Sequence, residues 1–195
     1  VHLLPYDSKM GDGQLIRYVT EIADRLPCPL WLYHNPKRGR PFTLSIIREL
    51  KDHPNIHGIK VGGYSLTELT SAVMFRSKDF EVMGAGSGQL FQMLSLGTRA
   101  HTTSEGSCFP EVFIELISLF RSGRIDEARR LQFRLIELSR KMPRTDNGEY
   151  AAEEKYILSR RGICDAYVVP AYRGLTVEEK NQADRALREF GFVWA

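Results

Sequence analysis

The sequence has few cysteines and no long apolar run, and both shortages exclude classes of protein. Its three cysteines, Cys28, Cys108 and Cys164, lie far apart and form no C-x-x-C pair. This spacing excludes a disulfide framework and favours reduced thiols in a cytoplasmic protein. No apolar run approaches the ~20 residues that a membrane-spanning helix needs, and the first residues lack the basic-then-apolar order of a signal peptide. We therefore expect a cytoplasmic protein with no membrane partner.

An excess of one charge and a complete nucleotide motif are also lacking. The net charge of +3 is spread over segments such as "RIDEARRLQFR", where acidic and basic residues are interleaved, so nucleic acid is not an expected partner. The segment "GAGSGQ" (84–89) has Gln89 where a dinucleotide fingerprint has its third glycine, and neither GK[ST] nor a GxSxG elbow frames it. A phosphate-binding loop at 84–89 stays open as an alternative. The five histidines are scattered along the chain, and no metal site is expected.

What the sequence does contain is a regular alternation of short apolar runs and amphipathic segments. With 195 residues, of which 43% are hydrophobic and 26% charged, the chain is long enough for one sizeable core. The spacing of apolar residues, together with the positions of proline and glycine, predicts strands at residues 1–6, 28–36, 55–60, 80–86 and 98–106. They predict helices at residues 13–26, 42–53, 66–75, 88–97 and 110–123. Such an alternation is typical of a parallel sheet covered by helices.

The pattern changes after Gly123. Three further helices are predicted at residues 125–142, 148–162 and 176–191, with no strand between them. The segment 164–175 is punctuated by proline and glycine and predicts a surface linker. We therefore expect two domains, a βα-unit domain over residues 1–123 and a helical appendix over residues 124–195.

Lys60 ends an apolar strand, where a charged side chain is unexpected. In a parallel sheet the ligand site lies at the carboxyl ends of the strands. A lysine that is partly desolvated there favours its neutral amine, which is a nucleophile toward a carbonyl carbon. Tyr33 ends the preceding strand, and its hydroxyl could relay the proton that imine formation moves. A solvated strand end for Lys60 and simple packing for Tyr33 are the structural alternatives.

Other residues just past the predicted strands are further candidates for substrate contact. Gly62 and the glycine after it would let a substrate approach the backbone, or they would serve a tight turn. Gly84 lies in the segment "GAGSGQ" (84–89), and Thr103 lies toward the end of the last predicted strand. Glu105 could act as a general acid or bind a substrate hydroxyl, with a surface turn as the alternative.

A family resemblance rests on four segments: "LYHNP" (32–36), "HPNIHGIK" (53–60), "SLG" (95–97) before "TRAHTTSEG", and "SGRIDEARRLQFRLIEL" (122–138). Together they resemble the dihydrodipicolinate synthase and N-acetylneuraminate lyase family, from about Leu4 to the end of the chain. The resemblance implies a (β/α)8 TIM barrel with C-terminal helices, in which a lysine forms a Schiff base with pyruvate or another 2-oxo acid. It makes Lys60 the imine lysine and Tyr33 the proton relay, without a metal or organic cofactor.

The resemblance also extends to the substrate and the assembly. Tyr6 falls on the first tyrosine of the family's P-Y-Y segment, and Arg38 falls near an arginine that lines the entrance in the synthases. The full-length protein is expected to be a homotetramer that acts on a small 2-oxo acid. Asp7 replaces the second tyrosine, and "VGG" follows Lys60 where the family has an acidic residue. These departures favour aldol cleavage, condensation or dehydration of a sugar acid or hydroxy-oxo-acid.

Two alternatives to that function stay open. One is a true dihydrodipicolinate synthase, that is, a 4-hydroxy-tetrahydrodipicolinate synthase of lysine biosynthesis. The other is a non-catalytic barrel scaffold or sensor. The predicted strands account only for strands 4–8 of such a barrel, and the loop that grips the 2-oxo acid's carboxylate in the family has no counterpart. We therefore expect a partial barrel that is completed by a further segment, by another chain, or not at all.

Overall fold

The structure is a computed structural model that describes residues 9–37, 39–145 and 151–192. The chain divides into two compact units, Val1–Thr102 and Thr103–Ala195. No helix within the described ranges combines the length and the apolar composition that crossing a bilayer demands.

The first unit is a parallel sheet with helical connections. Its strands are β1 (Leu30–His34), β2 (Ile56–Val61), β3 (Glu81–Ala85) and β4 (His101–Thr102). Its helices are α1 (Asp12–Arg25), α2 (Leu44–Leu50), α3 (Leu66–Val73) and α4 (Leu90–Ser95), with a 3₁₀ turn at Ser87–Gln89. The strands follow one another in the order β1-β2-β3-β4, and each neighbouring pair is parallel. The predicted α/β class with a parallel sheet is confirmed, and the strand predicted at 1–6 lies outside the described residues.

The prediction of a strand over residues 98–106 is wrong for most of that segment. The strand β4 contains only two residues, and Glu105 already begins a short helix, α5 (Glu105–Cys108). The backbone turns there, because the N–H of Gly106 donates to the carbonyl of Thr103 and the N–H of Ser107 donates to that of Ser104. The run "SEG" is also poor in the β-branched residues that favour strands.

Packing across the first unit follows from the strand register. Leu32, Ile59 and Val82 are partners on three adjacent strands, and each is 0% exposed. Burying a side chain of this kind stabilises the fold by about 1.5–3 kcal/mol. Helix α3 begins at a capping box, in which Ser65 and Glu68 satisfy each other's backbone N–H groups. This cap fixes where the chain leaves β2 and turns back over the sheet.

The second unit is helical. Besides α5 it contains α6 (Pro110–Arg121), α7 (Ile125–Lys141), α8 (Ala151–Arg160) and α9 (Val177–Phe190), which confirms the three helices predicted after residue 123. Helix α6 packs against α7, and α7 packs against α9. Gly123 has φ +78° between α6 and α7, a left-handed conformation that glycine adopts without a steric penalty. Residues 164–175 contain no helix or strand, as predicted.

Candidate active site

Strand β1 presents two different faces, and the burial pattern separates them. Leu30, Leu32 and His34 alternate with half-buried Trp31 and Tyr33. The two leucines belong to the core that the helices cover. Side chains alternate along a strand, so Tyr33 lies on the face opposite that core, at the carboxyl end of β1.

Tyr33 and Lys60 meet on this face. They are register partners on adjacent parallel strands, and Nζ of Lys60 lies 4.4 Å from the centroid of the Tyr33 ring. Both side chains are half-buried. Among the described residues no carboxylate forms an ion pair with Lys60. The amine therefore lies over the Tyr33 ring without a carboxylate partner among the described residues.

The Tyr33 hydroxyl is held by a neighbour. Nδ2 of Asn35 donates a hydrogen bond to it at 2.9 Å. Oδ1 of the same amide accepts from the backbone N–H of Lys37 at 3.2 Å. The turn after β1 therefore fixes the position of the Tyr33 hydroxyl oxygen.

Behind this pair, a second cluster joins the ends of β1 and β2 on the core side. His34 is 3% exposed, and its Nδ1 accepts the backbone N–H of Phe42 at 3.1 Å. The Tyr64 hydroxyl donates to the carbonyl of Phe42 at 2.5 Å, and the His34 and Tyr64 rings are 4.0 Å apart. Burial lowers the pKa of His34 to about 4, although the Phe42 hydrogen bond and the Glu68 charge oppose that shift. His34 is therefore neutral at neutral pH, with its proton on Nε2.

Burial also affects the tyrosine of this cluster. Desolvation raises the pKa of Tyr64, and the negative charge of Glu68 acts in the same direction. Tyr64 therefore stays protonated and keeps its hydrogen bond to the Phe42 carbonyl. The N–H of Gly62 donates to the carbonyl of His34 at 3.0 Å. These bonds hold together the two strand ends that carry Tyr33 and Lys60.

The glycines predicted near the site differ in what they do. Gly63 has φ +85°, and a side chain there would lie 3.2 Å from the Pro36 ring, so the turn itself requires glycine. A Cβ on Gly62 would meet only the His34 carbonyl oxygen, at 3.6 Å, among the described atoms. Packing therefore does not require glycine at 62, and substrate approach stays a prediction for it.

Gly84 has a packing reason to be glycine. A Cβ there would lie 2.4 Å from Met93 of α4 and 2.7 Å from Nδ1 of His101. The missing side chain thus faces the helix layer, whereas Tyr33 and Lys60 lie on the other face. Its predicted contact with substrate stays a prediction and would have to involve the backbone.

The remaining predicted residues fall into two groups. Thr103 and Glu105 lie in the second unit, where the Thr103 hydroxyl donates to Oε2 of Glu105. Glu105 begins a short helix there and does not end a strand. Tyr6 and Arg38 lie outside the described residues, and their predicted roles stay predictions.

Two backbone N–H groups of the alternative phosphate loop at 84–89 are bonded within the chain. The N–H of Gly84 donates to the carbonyl of Ala100 at 3.3 Å, and the N–H of Gly86 donates to that of Thr102 at 2.9 Å. A phosphate cradle needs backbone N–H groups that point at the anion, and these two are used within the sheet. Within the described parts of the chain, no three His, Cys, Asp or Glu side chains are grouped as metal ligands.

Fold and site together define an α/β protein built of parallel βα units, with a lysine and a tyrosine paired at the carboxyl ends of adjacent strands. The chain belongs to the dihydrodipicolinate synthetase family, whose sequence model matches residues 1–189. This is a family of lyases of the class I aldolase type. The resemblance noted in the sequence is therefore confirmed.

Individual relatives agree with this assignment. A 4-hydroxy-tetrahydrodipicolinate synthase from Methanospirillum hungatei is 32% identical over 140 residues, which are 71% of this chain and 48% of that protein. The dihydrodipicolinate synthase of Bacteroides thetaiotaomicron superposes with a TM-score of 0.85 at 23% identity, over 95% of this chain and 64% of that one.

A third comparison is with YagE, a prophage protein of the dihydrodipicolinic acid synthase family from E. coli K12, solved in complex with pyruvate. It superposes with a TM-score of 0.84 at 24% identity, over 96% of this chain and 64% of that one. The chain thus spans about half the length of the curated relative (48%) and 64% of each of these two structures.

The sequence places His34 and Asn35 at the end of β1 as residues that face the site, but it assigns neither of them a role, and the structure puts His34 on the core face. Alternation from Leu30 and Leu32 places His34 on the core face, and this pattern could have predicted its burial. Asn35 precedes a proline, and an Asn-Pro step favours a turn closed by the asparagine side chain. That signal indicates the bond to Lys37, but it does not reveal that the amide also reaches Tyr33.

Proposed function

We propose that Lys60 forms a Schiff base with pyruvate or a related 2-oxo acid, with Tyr33 as the proton relay. The observation that carries this proposal is the contact between the two side chains, with Nζ 4.4 Å from the ring centroid, at the carboxyl ends of adjacent strands. Membership of a lyase family and the pyruvate complex of YagE support it.

The proposed chemistry runs in three steps. The neutral amine of Lys60 attacks the C2 carbonyl to give a carbinolamine, and Tyr33 moves a proton to the hydroxyl that leaves as water. The protonated imine then withdraws electrons. In aldol cleavage the C4 hydroxyl loses its proton and an aldehyde forms, while the C3–C4 bond breaks and its electron pair forms an enamine, which is then protonated at C3. In dehydration C3 loses a proton to form the enamine, and the C4–O bond then breaks with its electron pair leaving on the hydroxyl, which takes up a proton and departs as water. Hydrolysis of the resulting imine releases the product and restores Lys60.

For the substrate, we propose a sugar acid or another hydroxy-oxo-acid, because Asp7 and the "VGG" after Lys60 depart from the synthase pattern. The proposed binding residues are those predicted from the sequence: Tyr6, Arg38, Gly62, Gly84, Thr103 and Glu105. The second candidate is 4-hydroxy-tetrahydrodipicolinate synthesis, which the 32% identity to the Methanospirillum enzyme favours. No cofactor is part of this proposal.

For the architecture, we propose that residues 1–123 are part of a (β/α)8 TIM barrel and supply its strands 4–8. Residues 1–123 then form the barrel part, and residues 124–195 form the helical appendix. This chain superposes on two related structures with TM-scores of 0.85 and 0.84 and covers 64% of each. Both values support the proposal that further strands lie outside this chain. We propose a cytoplasmic homotetramer as the complete assembly, without nucleic acid or membrane as a partner.

The two proposed side chains can be tested by substitution in the product of the full reading frame. Lys60→Ala removes the nucleophile and should abolish release of pyruvate from a panel of 2-keto-3-deoxy sugar acids. Tyr33→Phe removes only the hydroxyl and should lower turnover ~10²- to 10⁴-fold with the fold intact.

The controls separate the alternatives. Circular dichroism and urea unfolding should be unchanged in both variants. A wild-type protein that releases no pyruvate but makes 4-hydroxy-tetrahydrodipicolinate would replace the first candidate by the second. Inactivity in both assays, together with no imine, would favour the scaffold. A Tyr33→Phe variant with the wild-type rate would reduce Tyr33 to packing.

A further inference from the structure

Asn35 contacts the Tyr33 hydroxyl and has no role in the proposed chemistry so far. Its two side-chain hydrogen bonds are separate, one from Nδ2 to Tyr33 Oη at 2.9 Å and one to Oδ1 from the Lys37 backbone at 3.2 Å. Asn35 and Tyr33 are both half-buried. The Asn35 amide, held by two hydrogen bonds beside the Tyr33 oxygen, therefore needs an explanation.

The bond to Lys37 determines which way the amide points. A backbone N–H can only donate, so the atom that faces it must be the carbonyl oxygen of the amide. The opposite orientation would place two donors against each other at Lys37. Consequently the NH₂ group faces Tyr33, and it can only donate to the phenolic oxygen.

That direction leaves the tyrosine proton available. A phenolic hydroxyl has one proton to donate and lone pairs to accept with. Because Asn35 fills an acceptor position, the Tyr33 O–H is not used in this bond and can be donated elsewhere.

We infer that Asn35 is a positioning residue that orients the Tyr33 hydroxyl and keeps its proton directed toward the imine chemistry at Lys60. The inference rests on the proposed role of Tyr33. It adds a residue whose amide donates to the Tyr33 oxygen, so that the Tyr33 proton is not used in that bond. The turn bond to Lys37 fixes the amide, the amide fixes the phenolic oxygen, and that oxygen exchanges the proton with the substrate.

The substitution Asn35→Asp tests the direction of the bond. Asp has nearly the same shape and still accepts from the Lys37 N–H, so the turn is kept. Its second oxygen can only accept, so it captures the Tyr33 proton. Asn35→Ala removes both bonds but leaves the Tyr33 proton free. We expect Asn35→Asp to slow imine formation with pyruvate ~10- to 10²-fold, and Asn35→Ala to slow it less.

The readout is the rate at which a borohydride-reducible adduct appears on Lys60 in a rapid-quench experiment with the full reading-frame product. Pyruvate KM and urea unfolding should change little in Asn35→Asp, because binding and the turn are kept. In a Tyr33→Phe background, Asn35→Asp should have no further effect. Asn181→Asp at an exposed position of α9, in the second unit, adds the same charge and should leave the rate unchanged.

The outcomes separate this inference from the function on which it rests. An Asn35→Asp rate within twofold of the wild type, or Asn35→Ala slower than Asn35→Asp, would show that Asn35 serves only the turn and would overturn the inference. No adduct in the wild-type protein would overturn the proposed function and the inference together. As an independent check, the Asn35 side-chain amide resonances should shift in Tyr33→Phe, and unchanged resonances would show that the bond is absent.

Discussion

His34 and Tyr33 are neighbours in β1, yet they lie on opposite faces of the sheet and belong to different clusters. Tyr33 faces Lys60, whereas buried His34 accepts the Phe42 N–H and contacts the Tyr64 ring. One strand end thus carries Tyr33, beside Lys60, on one side and the buried residue that anchors this strand end on the other. We expect substitutions at His34 to affect the site through the strand end, without contact with substrate.

At this scale the low pKa of His34 predicts a pH-dependent stability. An unfolded histidine titrates near 6.5, whereas His34 in the fold titrates at about 4. The unfolded chain therefore binds more protons between these values, so stability is complete above about pH 6.5 and falls as the pH decreases toward about 4. The shift corresponds to at most about 3 kcal/mol.

Urea unfolding at pH 7 and pH 4.5 measures this effect. The wild-type protein should lose more stability between the two values than His34→Gln, which has no proton to bind. The remaining histidines are common to both proteins and cancel in the comparison. The same loss in both proteins would contradict the assignment of a buried neutral His34.

The sequence predicted the residues of this site in part. Lys60 stood out because a charged side chain ends an apolar strand, and Tyr33 because it ends the strand before. The Asn35 bond depends on how the chain turns after residue 34, and the packing of Gly84 depends on where Met93 of α4 lies. Contacts of both kinds arise from tertiary structure, which no local pattern encodes.

At the scale of elements, β2 contains a glycine, Gly58, at which the neighbouring strands β1 and β3 approach closely. Gly58 pairs with Trp31 on one side and with Glu81 on the other. A Cβ on Gly58 would lie 2.5 Å from the Glu81 carbonyl oxygen and 2.8 Å from the Trp31 ring. The indole therefore occupies the space above this glycine, on the face that also carries the Tyr33 and Lys60 pair.

We expect Gly58→Ala to destabilise the fold by about 1–3 kcal/mol, because a backbone oxygen cannot move aside as a flexible side chain can. Gly13→Ala is the matched control, since no described heavy atom lies within 4 Å of a Cβ there. In helix α1 this change should be neutral or stabilising by up to about 1 kcal/mol. Equal unfolding midpoints for the two variants would contradict the close approach at Gly58.

The elements themselves were largely predictable, and the reason is local chemistry. The Ser65 and Glu68 pair placed the start of α3, and a Thr176 cap stands at the start of α9. The strand predicted at 98–106 failed because its polar second half turns into α5. Local hydrogen bonds from Gly106 and Ser107 decide that segment.

At the scale of the whole molecule, the half-buried sheet face matters most. Within the described residues it carries Trp31, Tyr33 and Lys60, and in a closed barrel this face would line the interior. The proposal of further strands therefore predicts that Trp31 is shielded when those strands are present. Trp194→Phe leaves Trp31 as the only tryptophan of this sequence.

Acrylamide quenching of Trp31 fluorescence compares the chain with and without the further strands. If further barrel strands cover this face, quenching should be weaker in the full reading-frame product than in this chain expressed alone, and the emission should shift to shorter wavelength. The Trp194→Phe background applies to both samples, and any tryptophan added by the longer product is also replaced. Equal quenching in two folded samples that differ by those strands would contradict the barrel proposal.

The central claim is that Lys60 forms an imine with a 2-oxo acid, and reductive trapping tests it most directly. The full reading-frame product is incubated with pyruvate and sodium borohydride, digested, and examined by peptide mass spectrometry, with Lys60→Ala and a no-pyruvate sample as controls. We expect the mass of one reduced pyruvyl group on the peptide that contains Lys60, and no adduct in Lys60→Ala. An adduct on another lysine, or none in a folded protein, would contradict the account.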